Sequence, residues 1–213
     1  MVDMNKLLGQ LLGSGAASGF AGGLAGGLAS NMLTGKKALK VGGVAAVGAL
    51  AYTAYQRYNN KDTKSTLPAT AAGLIAAPSG TAFMPEESDD VANETLGLTL
   101  IRAMIAVARA DGRLDAQESQ SIFQKIQSLG LDSESQALLV EEMGQPIDMD
   151  AIVNSATSPE IAAEIYTASL LAVEVDTPAE RGYLDMLAAR LRLPSELVME
   201  LERQVEGQRA FVQ

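Results

Sequence analysis

The chain has 213 residues, a formal net charge of −10, and neither cysteine nor histidine. The absence of cysteine excludes disulfides and thiolate chemistry, and the absence of histidine excludes Ser-His-Asp catalysis and the usual zinc ligands. Any metal site must therefore use oxygen ligands, which suit Mg, Ca or Mn.

Charge and glycine divide the chain into two parts. Residues 1–85 carry seven Lys/Arg and two acidic residues, whereas residues 86–213 carry nine Lys/Arg and twenty-four acidic residues. Fourteen of the twenty glycines lie in the first part. We expect a membrane-associating region over 1–61, a Pro/Ala linker over 62–88 and an acidic domain over 89–213. Because the acidic part repels phosphates, we expect no nucleic-acid partner.

The first candidate membrane element is a helix over 7–33. Residues 7–35 contain nine glycines and no charged residue. Four of these glycines recur every four residues and share one helical face: Gly15, Gly19, Gly23 and Gly27. Such a stripe lets helices pack closely in a membrane, although each glycine weakens a helix in water by about 1 kcal/mol relative to alanine. A membrane-associated helix and a flexible Gly/Ala/Ser linker are both open interpretations.

A second candidate helix, 41–56, is uncharged and lies between basic residues. The basic residues that flank it are Lys36, Lys37, Lys40 and Arg57. As a helix this run spans about 24 Å, which is less than the hydrocarbon core of about 30 Å. A spanning helix and an amphipathic surface helix both fit it. Basic residues are nearly even on its two sides, so the positive-inside rule leaves open which side of the membrane holds the C-terminal domain.

Residues 89–213 have the pattern of a helical bundle. Apolar residues recur at spacings of three and four, and no segment alternates with the period of a strand. The predicted helices begin near Asp89, Asp115, Ser133, Asp150, Ser158, Thr177 and Pro194. The predicted fold is all-α, with a C-terminal bundle of about six or seven helices that follows the Gly/Ala-rich helical region.

Two helix junctions are acidic and form a weak internal duplication. The first reads Ala-Asp-Gly-Arg-Leu-Asp-Ala-Gln-Glu over 110–118, and the second contains Asp176 and Glu180. The carboxylates are placed as helix caps, since Thr177 and Glu180 have the spacing of a capping box.

The motif at 110–118 resembles the signature of the TerB-like helical bundles, a family named for tellurite resistance. The resemblance covers roughly residues 90–210, although the second junction is shorter and lacks the glycine of that family. Together with the Ala/Gly-rich basic N-terminal region, the arrangement also resembles the YebE-type inner-membrane proteins of unknown function. This resemblance implies a bacterial inner-membrane location. It also implies a set of possible ligands for a divalent cation: Asp111, Asp115, Glu118, Asp176 and Glu180. Capping alone, and capping together with a weak divalent-cation site, are both open interpretations of these residues.

The sequence predicts a protein that is not an enzyme, because no nucleophile or base stands beside an activating partner. We expect a membrane-anchored helical module that binds a protein partner or self-associates, in an envelope or stress context. The alternative is a protein that binds or senses Ca, Mg or Mn through the acidic junctions.

Overall fold

The computed structural model describes residues 2–13, 43–59, 74–110, 131–173, 175 and 177–210. Over these ranges the chain forms eight α-helices and no β-strand, with one isolated bridge between Thr81 and Met84. The helices are α1 (Met4–Gly13), α2 (Gly43–Asn59), α3 (Asp90–Ala108), α4 (Ser133–Gly144), α5 (Met149–Asn154), α6 (Pro159–Ala172), α7 (Pro178–Arg190) and α8 (Ser195–Ala210). The predicted all-α fold is confirmed. The helix predicted from Asp115 lies outside the described residues.

Most helix starts in the acidic part lie where the sequence predicts them. The side chains of Asp89 and Ser158 accept hydrogen bonds from the backbone N–H three residues later. Thr177 caps α7 in the same way, and a proline occupies the first turns of α6 and α7. Asp132 and Asp148 cap α4 and α5, slightly before the predicted starts. These caps are local signals, because each satisfies N–H groups that have no partner within the helix.

Helix α6 is the centre of the bundle. Every residue from Ala162 to Ala172 is buried, and the helix packs against α2, α3, α7 and α8. Helix α3 contributes the predicted apolar stripe, which is buried along its length: Leu96, Leu100, Ile101, Met104, Ile105 and Ala108. A helix that is apolar on all sides must be covered on all sides, and α6 meets this condition.

Helices α1 and α2 lie in the same hydrophobic core as the helices of the acidic part. Helix α1 packs against α2 and α3, and α2 packs against α1, α6 and α8. Phe83, within the predicted linker 62–88, is buried too. The uncharged run of α2 thus packs on α1, α6 and α8. The predicted division into a membrane-associating region, a linker and an acidic domain stays a prediction.

Of the two candidate membrane helices, the first is described only in part, and the second packs in the hydrophobic core of the bundle. The helix predicted over 41–56 is α2, whose apolar residues face the core. The helix predicted over 7–33 is described from Met4 to Gly13, and Gly15, Gly19, Gly23 and Gly27 lie outside the described residues. In the described part of the chain, one helix, α3, is long and apolar enough to cross a membrane. Since most of α3 is buried inside the bundle, this is weak evidence for a membrane span.

Glycines let the helices approach each other closely. A Cβ atom on Gly97 of α3 would lie 2.5 Å from the Cβ of Met4 in α1. A Cβ atom on Gly43 of α2 would overlap with the backbone nitrogen of Gly9 in α1. These glycines are not those of the predicted membrane stripe. They allow close packing of helices inside the bundle.

Gly97→Ala should lower the free energy of unfolding by about 1–3 kcal/mol, because the added methyl group forces α1 away from α3. Gly182→Ala in α7 is the matched control, since a Cβ atom there meets nothing within 4 Å. The control should raise stability by about 0.5–1 kcal/mol, because alanine loses less entropy than glycine in a helix. Urea denaturation followed by circular dichroism measures both. Equal effects of the two substitutions would contradict the packing of α1 on α3.

Candidate functional site

The structure describes two of the residues predicted to bind a cation or to flank a membrane helix, Glu180 and Arg57. The others lie outside the described residues: Asp111, Asp115, Glu118, Asp176, Lys36, Lys37 and Lys40. Within the described ranges, no group of three or more acidic residues is placed to hold a metal ion. The predicted cation site therefore stays a prediction.

Glu180 is buried and caps the start of α7. Its Oε2 accepts hydrogen bonds from the backbone N–H of Thr177 at 3.1 Å and from Thr177 Oγ1 at 2.9 Å. The N–H of Glu180 donates in return to Thr177 Oγ1 at 3.2 Å. This reciprocal pair is a capping box, as the spacing of the two residues predicts.

Arg57 lies at the end of α2 and contacts α8. Its Nη1 is 3.5 Å from Glu200 Oε1, and the pair is partly buried. Glu200 also accepts hydrogen bonds from Arg203 and, at 3.0 Å, from Gln204 Nε2. The ion pair therefore links α2 to α8. The membrane-flanking role of Arg57 stays a prediction.

The carboxyl group of Glu164 lies where α2 meets α6. The side chain is 0% exposed, and neither carboxyl oxygen has a hydrogen-bond partner in the structure. A Cβ atom on Gly48 of α2 would lie 2.9 Å from Glu164 Oε1 and would overlap with the carbonyl oxygen of Phe83. Three elements thus converge on this carboxyl: α6, α2, and residues 74–84, which we call the strap.

Burial raises the pKa of Glu164 well above its ordinary value. The cause is desolvation alone, since the interior disfavours the charged carboxylate and no nearby positive charge compensates. The protonated carboxylic acid is therefore the form that suits the packed contact. A carboxylate without a partner would be strongly unfavourable in this position.

Other polar side chains of α6 have partners. The hydroxyls of Thr167 and Ser169 donate to carbonyl oxygens one turn earlier, at 2.7 Å and 3.0 Å. The hydroxyl of Tyr166 donates to Glu202 Oε1 at 3.2 Å, and that carboxylate also binds Arg181. Glu164 is therefore the unusual group on α6. The sequence pattern did not predict this site, although Glu164 is the one charged residue between Ile161 and Val173.

Thr177→Ala should lower the free energy of unfolding by about 1 kcal/mol, because the start of α7 loses its cap. Thr95→Ala is the matched control, since Thr95 is exposed and within α3, where its hydroxyl binds the carbonyl oxygen of Val91. The control should leave stability unchanged or slightly raised. Thermal unfolding distinguishes the two variants, and a Thr177→Ala midpoint equal to that of the unmodified protein would contradict the capping box.

Glu164→Gln should raise the free energy of unfolding at neutral pH by about 1–3 kcal/mol, because the amide keeps the shape of the side chain without its charge. The folded-state pKa of Glu164 is above the unfolded one. The stability from its protonated form is thus complete below the unfolded pKa and is lost as pH rises through the folded pKa. The gain from the substitution should therefore vanish near about pH 4 and grow toward about pH 8.

Denaturant titrations at several pH values measure this gain. Glu141→Gln is the matched control, because Glu141 is exposed on α4 and its substitution removes the same charge. The control should show no comparable increase with pH. A gain for Glu164→Gln that is the same at every pH would contradict a raised pKa in the folded protein.

Comparison with known proteins gives a family and a distant relative. The family described as "Protein of unknown function (DUF533)" matches residues 10–205. The chain is 24% identical over 113 residues to the "Uncharacterized protein in ampR 5'region" of Yersinia enterocolitica, an alignment that covers 53% of this chain and 81% of that protein. No solved structure matches the chain. The match spans nearly the whole sequence, and the chain therefore belongs to the DUF533 family of proteins of unknown function.

Proposed function

We propose that the chain is a non-enzymatic helical interaction module, attached to the bacterial inner membrane by its N-terminal region. The observation that carries the proposal is that polar side chains in the described residues connect helices or cap them. Activated groups converging on a cleft would be expected of an enzyme instead.

Arginine side chains provide the clearest examples. Arg102 of α3 binds Glu142 of α4 through two hydrogen bonds, at 2.8 Å and 2.7 Å. Arg109 donates to the carbonyl oxygens of Met143 and Gln145, at 3.1 Å and 2.8 Å, where the chain leaves α4. These contacts stabilise a fixed surface, which favours binding over chemical reaction as the role of the bundle.

The membrane part of the proposal relies on the sequence of the N-terminal region. Residues 7–35 are uncharged, and Lys36, Lys37 and Lys40 follow them. Anionic lipids of a cytoplasmic leaflet attract such lysines. The same lipids repel the acidic part, residues 86–213, which stays available to a protein partner or to a second copy of the chain.

The proposal also extends the family relationship to the TerB-like bundles and the YebE-type inner-membrane proteins. Two features support this extension, namely the acidic motif over 110–118 and the all-helical fold of the acidic part. A third is the start of α7 at the second acidic junction, where Glu180 lies in a capping box with Thr177.

Binding of the purified full chain to vesicles tests the membrane attachment. Vesicles that contain anionic lipid should bind the chain, and the triple variant Lys36→Gln, Lys37→Gln, Lys40→Gln should bind on the order of 100-fold more weakly, at about 1 kcal/mol per lysine. Arg192→Gln, which removes an exposed basic residue from the acidic part, is the control and should bind like the unmodified chain. Complete recovery of the unmodified chain in the soluble fraction of cells, without detergent, would contradict the attachment.

A further inference from the structure

Helix α2 contacts the bundle largely through small side chains. Five of its nine buried residues are glycine or alanine. Small side chains remove little apolar surface from water, so each contributes little to the stability of the contact. The ion pair between Arg57 and Glu200 adds a modest amount, since partly exposed ion pairs contribute little and are screened by salt.

The strap is attached to α2. The backbone N–H of Ile75 donates to Thr53 Oγ1 of α2 at 3.1 Å. The ring of Phe83 packs edge-on against Tyr52 and Tyr55, with ring centroids 5.5 Å and 5.4 Å apart. These contacts indicate that α2 and the strap move together, and we call the pair the α2–strap unit.

The carboxyl of Glu164 lies between α6 and the α2–strap unit. The stability of this contact therefore depends on whether the carboxyl is charged. We propose that the α2–strap unit docks on α6 while Glu164 is protonated and is released when Glu164 ionises, so that the apolar face of α2 becomes available to lipid. The exposure to lipid relies on the membrane attachment proposed above. The release itself does not.

The charged groups on the described elements around Glu164 do not compensate the charge of its ionised form. The strap, residues 74–84, contains no ionisable residue. On the helices that surround α6, Arg57, Arg102 and Arg181 pair with Glu200, Glu142 and Glu202. Arg209 of α8 donates to the carbonyl oxygens of Leu170 and Val173 at the C-terminal end of α6. The ionisable tyrosines of α2 nearest the strap, Tyr52 and Tyr55, pack against Phe83. No charge on these elements shifts the pKa of Glu164, whose rise comes from burial.

Release has a definite pH direction. The docked state contains the protonated carboxyl, and the released state exposes it to water, where it ionises at its ordinary pKa. Lowering the pH therefore favours docking, and raising it favours release. Glu164→Gln should hold the unit docked over the whole range, because the amide does not ionise.

A single cysteine in the otherwise cysteine-free chain reports release. Ala54 of α2 is 0% exposed, and Ala54→Cys in the full chain should be protected from a maleimide at about pH 5.5 and modified at least tenfold faster at about pH 8. Each rate is divided by the rate in urea at the same pH, which removes the change in thiol ionisation. With Glu164→Gln added, protection should stay high and constant, whereas with Glu141→Gln added it should fall as in Ala54→Cys alone.

Ala103→Cys on α3 distinguishes release from global unfolding, since Ala103 is equally buried and should stay protected at both pH values. Hydrogen exchange of residues 43–59 in the unmodified chain repeats the measurement without a cysteine. Protection of α2 that does not change with pH, or that falls together with protection of α3, would overturn the proposal. Release is measured without lipid, so this failure is distinct from a failure of vesicle binding.

Discussion

The burial of helix α6 is the constraint on which the rest of the structure depends. Helix α6 is buried along its length and needs an apolar cover on each side. Helix α3 covers one side with large side chains, and α2 covers another with small ones. Gly48 makes this cover possible, because a larger residue would overlap with the strap and press on the carboxyl of Glu164.

Much of the acidic part could be predicted because its signals are local. Asp89, Ser158 and Thr177 each begin a helix through hydrogen bonds that span three residues. The setting of α2 could not be predicted in this way. An uncharged run of small residues fits a lipid bilayer, a flexible segment or a protein core, and only its distant partner α6 decides among them.

At the candidate site too, local sequence signals predict only the contacts between residues that are close in the chain. Glu180 could be predicted as a cap because its partner, Thr177, is three residues away. Glu164 was missed because a single glutamate in a helix is ordinarily taken as exposed, and its burial comes from α2, more than a hundred residues earlier in the chain. Its one local signal is isolation, since no other charged residue lies between Ile161 and Val173.

The protonation state of Glu164 depends on the cover that α2 provides, because removal from water disfavours the charged carboxylate. A carbon-13 NMR titration of the full chain with labelled glutamate carboxyls measures it directly, and Glu164→Gln identifies the resonance. We expect this carboxyl to titrate well above the ordinary pKa of a glutamate. Titration at an ordinary glutamate pKa would show a hydrated side chain and would contradict the contact between α2 and α6.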